Sequence, residues 1–288
     1  MHRQEDHQEG RFLSQPIRRR LDTELVRRGL SPTRDRARAA IAGRQVTVGG
    51  ALAVKPARLV SAAEPIVLLG PPAPFVSRGG EKLDAALDHF GIDVGGVRAL
   101  DAGSSTGGFV DCLLGRGAVE VVAVDVGRGQ LHERLRRDPR VVVMERTNVR
   151  SLGLDQVGGI PFPMVVADLS FISLRTVAPV LLGELAAAGA DVVALVKPQF
   201  EAGRAEASRG KGVVKDPTVW ERVLDEVSSS FRRARAAMMG AMVSPLTGAS
   251  GNVEFLVHAR AHARPDQPEP ALDLAAVVAE AITRTGGG

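Results

Sequence analysis

Short apolar runs alternate with helical patterns along the chain from residue 97 onward. The runs are rich in Val, Leu and Ala, which is typical of strands that are buried on both faces of a parallel sheet. They lie at Val97–Leu100, Val119–Val124, Arg140–Met144, Pro163–Ala167, Asp191–Val196 and Asn252–Val257. The helical segments between them predict an α/β fold with a Rossmann-like, doubly wound parallel sheet. In such sheets, ligands bind beyond the carboxyl ends of the strands.

The pattern before residue 70 is different and predicts a small α+β module. A first short helix ends at Gly29, and a second begins with Ser31 as its N-cap and Pro32 at its first helical position. The inward positions of the two helices are Leu21, Leu25, Val26, Ala37, Ala40 and Ile41. Two further apolar runs flank Gly49-Gly50, which is a two-residue hairpin signal.

A proline-rich break at Gly70–Pro74 marks the boundary between this module and the rest of the chain. The amphipathic pattern of Ala271–Thr283 predicts a short helix near the end of the chain. The predicted divisions are a flexible N-terminal arm (1–16), the small module (17–70), a linker (71–77), a large domain (78–262) and a C-terminal tail (263–288).

Composition predicts a soluble cytoplasmic protein. No uncharged apolar run reaches the ~18 residues that span a bilayer, and the polar first ten residues lack the apolar core of a secretory signal. The single cysteine, Cys112, excludes internal disulfides and fits a reducing cytosol. The six histidines do not cluster at ligand spacings, so no metal site is predicted.

Positive charge is concentrated in the small module. Between Ile17 and Val60 there are eleven Lys or Arg residues against three acidic residues, whereas the rest of the chain has 26 basic and 30 acidic residues. Basic charge gathered in one short segment favours binding to a polyanion such as nucleic acid. The candidate RNA contacts are Arg18, Arg20, Arg34, Arg36, Arg44 and Lys55.

A glycine-rich turn follows the first predicted strand of the large domain, with the sequence Asp101-Ala-Gly103-Ser-Ser105-Thr-Gly107. Glycines let the backbone approach a ligand closely. Ser105 stands where a dinucleotide fingerprint has glycine, so that fingerprint fails. An acidic residue before the first glycine suits a cationic ligand, and Asp125, at the end of the next strand, is placed to bind ribose hydroxyls. The turn therefore predicts S-adenosylmethionine rather than NAD.

Two lysines and two acidic residues are candidates for catalysis. Asp168 and Lys197 each end a predicted strand, so both are expected at the same cleft. Glu254 interrupts the apolar pattern of the last predicted strand, and Lys82 opens the helix before the first one. Lys197 is one of five lysines in a chain with 32 arginines, and lysine, unlike arginine, can lose its proton and act as a base. Taken singly, each of the four also has an ordinary structural interpretation, as a cap, an edge charge or a surface lysine.

The small module resembles an S4 RNA-binding domain. The matching positions are Leu21-Asp22-x-x-Leu25, Gly29-Leu-Ser31, Ala37, Ile41-x-x-Arg44-x-Val46-x-Val48-x-Gly50 and Val54-Lys55-Pro56. S4 domains also precede pseudouridine synthases, and Arg20-Leu21-Asp22 matches part of the catalytic motif of those enzymes. The glycine and small residues that flank that motif are missing here, so Asp22 is interpreted as structural.

The order Lys82, Asp168, Lys197, Glu254 resembles the K-D-K-E tetrad of FtsJ-like ribose 2′-O-methyltransferases. With the leading S4-like module, the chain resembles the TlyA (hemolysin A) family of ribosomal RNA cytidine 2′-O-methyltransferases over about residues 17–260. The supporting strings are Ser77-Arg-Gly-Gly-Glu-Lys82-Leu, Asp101-Ala-Gly-Ser-Ser-Thr-Gly-Gly-Phe109, Glu145-Arg-Thr-Asn148, Ala167-Asp-Leu-Ser-Phe-Ile-Ser173, Leu195-Val-Lys-Pro-Gln-Phe200 and Gly248–Glu254.

The resemblance implies 2′-O-methylation of a cytidine in 16S rRNA, 23S rRNA or both, on ribosomal subunits or free RNA, without a metal. It implies that Lys197 accepts the ribose proton while Asp168 and Glu254 orient the two lysines. The implied contacts to S-adenosylmethionine are Asp101, Gly103, Ser105, Gly107, Asp125 and Asn148. Two alternatives stay open: a non-catalytic RNA-binding assembly factor, for which a broken tetrad is expected, and a membrane-lytic hemolysin, which the lack of a spanning segment disfavours.

Overall fold

The computed structural model describes residues 18–70, 74–203, 206, 210, 212–248, 251–262 and 269–286. The chain divides into two compact units, residues 1–72 and residues 73–288. The predicted arm (1–16), residues 71–73 of the predicted linker and residues 263–268 of the predicted tail lie outside the described residues.

The described part of the smaller unit, residues 18–70, contains two helices and five short strands. These elements are β1 (Arg18–Arg20), α1 (Leu21–Arg27), α2 (Arg34–Ala42), β2 (Val46–Val48), β3 (Ala51–Leu52), β4 (Leu59–Ser61) and β5 (Ile66–Leu68). β1 pairs antiparallel with β4, and the other three strands form an antiparallel sheet in the order β3-β2-β5. Val48 pairs with Ala51 across Gly49 and Gly50, both of which have positive φ, so the predicted hairpin is confirmed.

The second helix begins later than the sequence suggested, so the predicted cap is wrong. Thr33, rather than Ser31, is the N-cap: its extended backbone lets Oγ1 accept a hydrogen bond from the Arg36 amide at 3.2 Å. Ser31 instead donates its hydroxyl to the Thr33 carbonyl at 3.1 Å, and Pro32 precedes the helix. The predicted inward face is otherwise present, because Leu21, Leu25, Ala37 and Ile41 are fully buried together.

The larger unit is built around one seven-stranded sheet. Its strands are β6 (Arg98–Ala102), β7 (Glu120–Val124), β8 (Val141–Met144), β9 (Phe162–Ala167), β10 (Ala186–Val196), β11 (Ala237–Val243) and β12 (Phe255–Arg260). Its helices are α3 (Arg78–Phe90), α4 (Gly108–Gly115), α5 (Glu133–Arg136), α6 (Leu174–Val180), α7 (Pro198–Glu201), α8 (Pro217–Arg233) and α9 (Leu274–Gly286). The strand order is β11-β12-β10-β9-β6-β7-β8.

The sheet is mixed, which corrects the prediction of a parallel sheet. β6 to β10 are parallel, whereas β12 runs antiparallel to both β10 and β11. β11 was not predicted, because Ala-Met-Met-Gly-Ala-Met-Val has a single β-branched residue and no polar alternation. β12 begins at Phe255, so Glu254 lies just before the last strand and not within it as expected.

Both faces of the sheet are buried, which explains the continuous apolar runs. Alternate residues of a strand point to opposite faces, and Val165 and Val166 accordingly belong to two different core clusters. The tail helix α9 begins three residues after the predicted start, and Val278 and Ala281 are buried in one of these clusters. None of the helices in the described ranges is long and apolar enough to cross a membrane.

Candidate active site

The glycine-rich turn joins β6 to α4 and brings the backbone of two strand ends together. Gly103 has φ +89°, and a Cβ there would lie 2.6 Å from the Asp168 carbonyl oxygen. The Asp168 amide in turn donates to the Ala102 carbonyl at 3.0 Å, so the ends of β6 and β9 are in direct contact. Gly107 has φ +94°, and a Cβ there would clash with the Leu135 side chain. Glycine is required at both positions.

Asp101 lies near the end of β6 and is fully buried. Within the described residues, neither carboxylate oxygen has a hydrogen-bond partner; the Val110 amide favours the charged form but does not reach hydrogen-bonding geometry. Burial, followed by the negative charges of Asp168 and Asp125, raises the pKa of this carboxyl well above its usual range. A buried acid without a partner is costly in its charged form, so the neutral form of Asp101 is favoured in the folded protein.

A cavity of about 560 Å³ opens beside this turn. Of the predicted cofactor residues, Gly103, Ser105, Asp125 and Asn148 line it, while Asp101 and Gly107 do not. Asp125 follows β7 and accepts hydrogen bonds from the Ser105 amide at 2.8 Å and the Gly127 amide at 2.6 Å. Asn148 caps a 3₁₀ turn (Val149–Ser151) through the Arg150 amide. Asp168 also lines the cavity, which therefore joins the predicted cofactor loop to a predicted catalytic residue.

The four predicted catalytic residues form two ion pairs. Lys197 Nζ lies 2.6 Å from Asp168 Oδ1, close enough for an ion pair although the approach angle does not make a hydrogen bond. Lys82, in the second turn of α3, is paired with Glu254. Both lysines are buried. Val196 pairs with Phe255 across the antiparallel strands β10 and β12. Lys197 follows Val196 and Glu254 precedes Phe255, so the two residues lie beyond the same end of this strand pair.

Sequence reasoning missed three residues around Lys197. Ser170 Oγ accepts a hydrogen bond from Lys197 Nζ at 3.0 Å, so the amine has two partners. The Phe171 side chain is 92% exposed, and its backbone has φ +64°, which is strained for a bulky residue. Phe171 packs on Phe200 with ring centroids 5.0 Å apart, and Lys197 Nζ lies 5.9 Å from the Phe200 centroid. The signal was available, since aromatic residues make up 3% of the chain and two of them flank the strand ends.

Glu201 holds the two loops that carry Asp168 and Lys197. This buried carboxylate accepts from Ser173 Oγ at 2.5 Å and from the Leu174 amide at 2.6 Å. Glu201 lies on α7, which follows Lys197, and α6 follows the Asp168 loop. Its carboxylate therefore accepts from a backbone amide that would otherwise lack a partner at the start of α6. Burial raises the pKa of Glu201 despite these hydrogen bonds. Cys112, in contrast, is buried in α4, and burial raises its pKa to about 12, so it packs as a small apolar side chain.

In the smaller unit, the predicted RNA contacts differ in their surroundings. Arg44 and Lys55 are exposed, Arg36 is half-buried, and Arg18 lies 3.6 Å from Glu64. Arg20 and Arg34 both contact Asp22, together with Arg38, which was not among the candidate contacts. Asp22 is fully buried, as its structural interpretation requires.

Known proteins match this combination of folds and residues. The FtsJ-like methyltransferase family matches residues 75–261, and the S4 domain family matches residues 19–66. The chain is 50% identical over 84% of its length to the 16S/23S rRNA (cytidine-2′-O)-methyltransferase TlyA of Mycobacterium tuberculosis, covering 90% of that protein. It is 37% identical over 83% of its length to Hemolysin A of Brachyspira hyodysenteriae, covering 98% of that protein.

A solved structure of a provisionally named hemolysin from Streptococcus thermophilus superposes with a TM-score of 0.75 at 36% identity. The superposition covers 93% of this chain and 97% of the other. Fold and site thus define an FtsJ-like methyltransferase with an S4 RNA-binding domain. Within that class, the chain belongs to the TlyA family of rRNA cytidine 2′-O-methyltransferases.

Proposed function

We propose that this protein transfers a methyl group from S-adenosylmethionine to the ribose 2′-oxygen of a cytidine in ribosomal RNA. The observation that carries the proposal is the pair of lysine–carboxylate contacts, Lys197 with Asp168 and Lys82 with Glu254, beside a cavity lined by the glycine-rich turn. The named activity of the Mycobacterium tuberculosis relative supports it. Ribosomal RNA as the substrate and a lone buried thiol, Cys112, support a cytoplasmic location as part of this proposal.

The cavity suits S-adenosylmethionine. Its polar lining includes the carboxylates of Asp125 and Asp168, and the unpartnered carboxylate of Asp101 lies behind the turn. A pyrophosphate would meet this concentration of acidic groups unfavourably, whereas a cationic ligand is attracted to it. Gly103, Ser105, Asp125 and Asn148 would hold the cofactor, with Asp125 placed for ribose hydroxyls. Once bound, S-adenosylmethionine supplies an electrophilic methyl group.

Lys197, in its neutral form, accepts the proton that the ribose hydroxyl loses as its oxygen takes the methyl group and S-adenosylhomocysteine leaves. Asp168 and Ser170 fix the position of Nζ at the edge of the cavity, and lysine can release a proton where arginine cannot. Lys82 and Glu254 form a neutral pair next to this site, so no uncompensated charge is buried there. Much of the acceleration then comes from holding the hydroxyl in line with the methyl group.

Phe171 provides a surface for the substrate base. An aromatic ring that is almost fully exposed, backed by Phe200 and adjacent to the Asp168 loop, can stack on an unpaired base. The strained backbone of Phe171 keeps the ring outside the core, where its burial would otherwise be favourable. Recognition of the remaining rRNA falls to the basic S4 domain, which contributes phosphate contacts.

Methylation of purified rRNA tests this function. The substrate is rRNA from cells that lack this protein. We expect incubation of this rRNA with the protein and S-adenosylmethionine to produce 2′-O-methylcytidine, identified by nuclease digestion and mass spectrometry. Calorimetry should show binding of S-adenosylmethionine and none of NADH. Absence of any new 2′-O-methylated nucleoside in both 16S and 23S rRNA, with the protein folded and cofactor bound, would refute the proposal.

A further inference from the structure

One buried carboxylate in the S4 domain gathers three arginines. Asp22, the second residue of α1, is fully buried. It accepts from Arg20 Nε at 3.1 Å, from Arg34 Nε at 3.0 Å and from Arg38 Nε at 3.3 Å. A second contact, from an Arg20 terminal nitrogen at 3.0 Å, makes that pair bidentate. Arg20 ends β1 while Arg34 and Arg38 lie on α2, so the carboxylate joins residues from separate elements.

The arginines remain accessible although the carboxylate is not. The exposed fractions of their side chains are 41% for Arg20, 49% for Arg34 and 48% for Arg38. Arg34 and Arg38 contact Asp22 through Nε, at one edge of the guanidinium. Three cations against one anion leave this cluster with net positive charge on the surface. Such a cluster is complementary to a phosphate, because guanidinium groups bind phosphate oxygens with directed hydrogen bonds.

The neighbouring acid, Glu24, organises its arginines differently. Glu24 is also buried and accepts from Arg27 at 2.7 Å and from Arg28 at 2.8 Å. Arg28 then donates to the carbonyls of Ser61, Ala62 and Glu64, so its guanidinium is used to tie α1 to the β4 region. Arg20, Arg34 and Arg38, in contrast, all donate to Asp22. Arg38 also lies 3.8 Å from the exposed carboxylate of Asp35. The Glu24 cluster is therefore structural, and the Asp22 cluster is available to a ligand.

We propose that Asp22 is a positioning residue that holds Arg20, Arg34 and Arg38 as one preorganised site for the phosphate backbone of RNA. The carboxylate offsets the mutual repulsion of the three guanidinium groups and restricts their rotamers before RNA arrives. Ordering a long side chain on binding lowers affinity, so prior ordering raises it. The proposal rests on the proposed function, since it assumes that the S4 domain binds rRNA. It also accounts for the Arg20-Leu21-Asp22 motif, whose acid is too buried to attack a substrate.

Replacement of Asp22 separates this proposal from a simple charge effect. Asp22→Asn removes one negative charge from a surface that binds a polyanion, so charge alone predicts tighter RNA binding. We expect weaker binding instead, by roughly tenfold or more, since each arginine that must be ordered on binding costs about two- to tenfold. Asp35→Asn is the matched control: it makes the same charge change at a 94% exposed residue of α2, whose contact with Arg38 is long, at 3.8 Å, and holds no buried charge. Its affinity for rRNA should be unchanged or slightly higher.

The readouts distinguish positioning from general stability. Using full-length protein and transcribed rRNA, we expect Asp22→Asn to raise KM for rRNA while kcat at saturating rRNA and affinity for S-adenosylmethionine stay within about twofold of the wild type. The slope of log affinity against log salt should fall by about one to two, as phosphate contacts are lost. Wild-type affinity for Asp22→Asn, with the S4 domain folded, would overturn the proposal. Failure of the wild type to bind rRNA would overturn the proposed function instead.

Nuclear magnetic resonance of the wild type keeps the test independent of whether the variant folds. The Nε–H signals of Arg20, Arg34 and Arg38 should exchange slowly with water in the free protein, because each donates to Asp22. All three should shift together when an rRNA fragment is added, whereas the Arg28 signal, which belongs to the Glu24 cluster, should not. Unprotected signals in the free protein, or signals that RNA leaves unmoved, would also contradict the proposal.

Discussion

Lys197 shows how one residue combines chemistry with placement. It follows the last residue of β10, and its amine lies between Asp168, which follows β9, and Ser170 in the same loop. An arginine would keep the charge and much of the reach, but it would not release a proton at any pH that a protein tolerates. If Lys197 is the proposed base, this position therefore requires lysine rather than arginine.

The variant Lys197→Arg tests this requirement. We expect it to retain binding of S-adenosylmethionine and rRNA but to lose methyl transfer by about 10²–10⁴-fold, the usual contribution of a general base. Single-turnover kinetics with saturating substrates measures the chemical step. The control is Lys215→Arg, the same substitution at an exposed lysine, and it should keep near-normal turnover. Near-normal turnover of Lys197→Arg would reduce the lysine to an electrostatic role.

Asp101 predicts a pH dependence of stability. Its pKa is raised by burial, so the folded protein binds this proton more tightly than the unfolded chain. The free energy of unfolding should therefore fall as pH rises from the usual aspartate pKa up to the raised value in the folded state. Asp101→Asn should remove this fall, making the cofactor-free protein more stable than the wild type at neutral pH while weakening binding of S-adenosylmethionine. Urea unfolding across pH measures the difference; parallel curves for the two proteins would contradict it.

At the scale of elements, the turn between β6 and α4 depends on a close backbone approach. Gly103→Ala introduces a methyl group 2.6 Å from the Asp168 carbonyl, in addition to the strain of positive φ. Gly91→Ala, at the end of α3, has a φ of +64° but no atom within 4 Å of the new methyl group, so it isolates the backbone strain of about 1 kcal/mol. We expect Gly103→Ala to lose at least about 1 kcal/mol more stability. It should also bind S-adenosylmethionine over tenfold more weakly, as measured by calorimetry; equal losses would exclude the close approach as the cause.

The connection between α6 and α7 is a second element-scale determinant. Glu201→Ala leaves the buried Leu174 amide without its acceptor, which typically costs about 1–3 kcal/mol. Because Leu174 begins the helix that follows the Asp168 loop, we expect methyl transfer to fall as well. Glu226→Ala removes a more exposed carboxylate that pairs with Arg175 and Arg222, and should cost less than about 1 kcal/mol. Thermal unfolding compares the two; an equal cost would show that Glu201 adds nothing beyond a surface ion pair.

At the scale of the whole molecule, the two units differ in charge: the small unit is basic and the large one is not. The large unit has its own two core clusters, and the small unit has a separate one. We expect removal of residues 1–70 to weaken rRNA binding and flatten its salt dependence, because these residues have 13 basic against 7 acidic side chains and the rest of the chain has a net negative charge. Binding of S-adenosylmethionine should stay largely intact. Filter binding over a range of salt concentrations measures the change, and an unchanged RNA affinity would refute the assignment of the S4 domain.

The sequence alone determined the features that depend on local pattern. Apolar runs predicted the central strands, Gly49-Gly50 predicted the hairpin, and the spacing of Lys82, Asp168, Lys197 and Glu254 indicated the family, which the comparisons confirmed. These signals are local because side-chain periodicity and turn chemistry are properties of neighbouring residues. The roles of the individual site residues stay predictions.

Only the tertiary structure decided which of these residues meet. No local pattern distinguishes an antiparallel strand such as β12 from a parallel one, because both are apolar and pairing direction depends on connections over long distances. The pairing of Lys82 with Glu254 joins residues 172 positions apart, and the contacts of Asp22 with Arg20 and Arg38 join β1, α1 and α2 through one carboxylate. Such contacts follow from the packing of whole elements, so sequence could nominate the residues but not the partners.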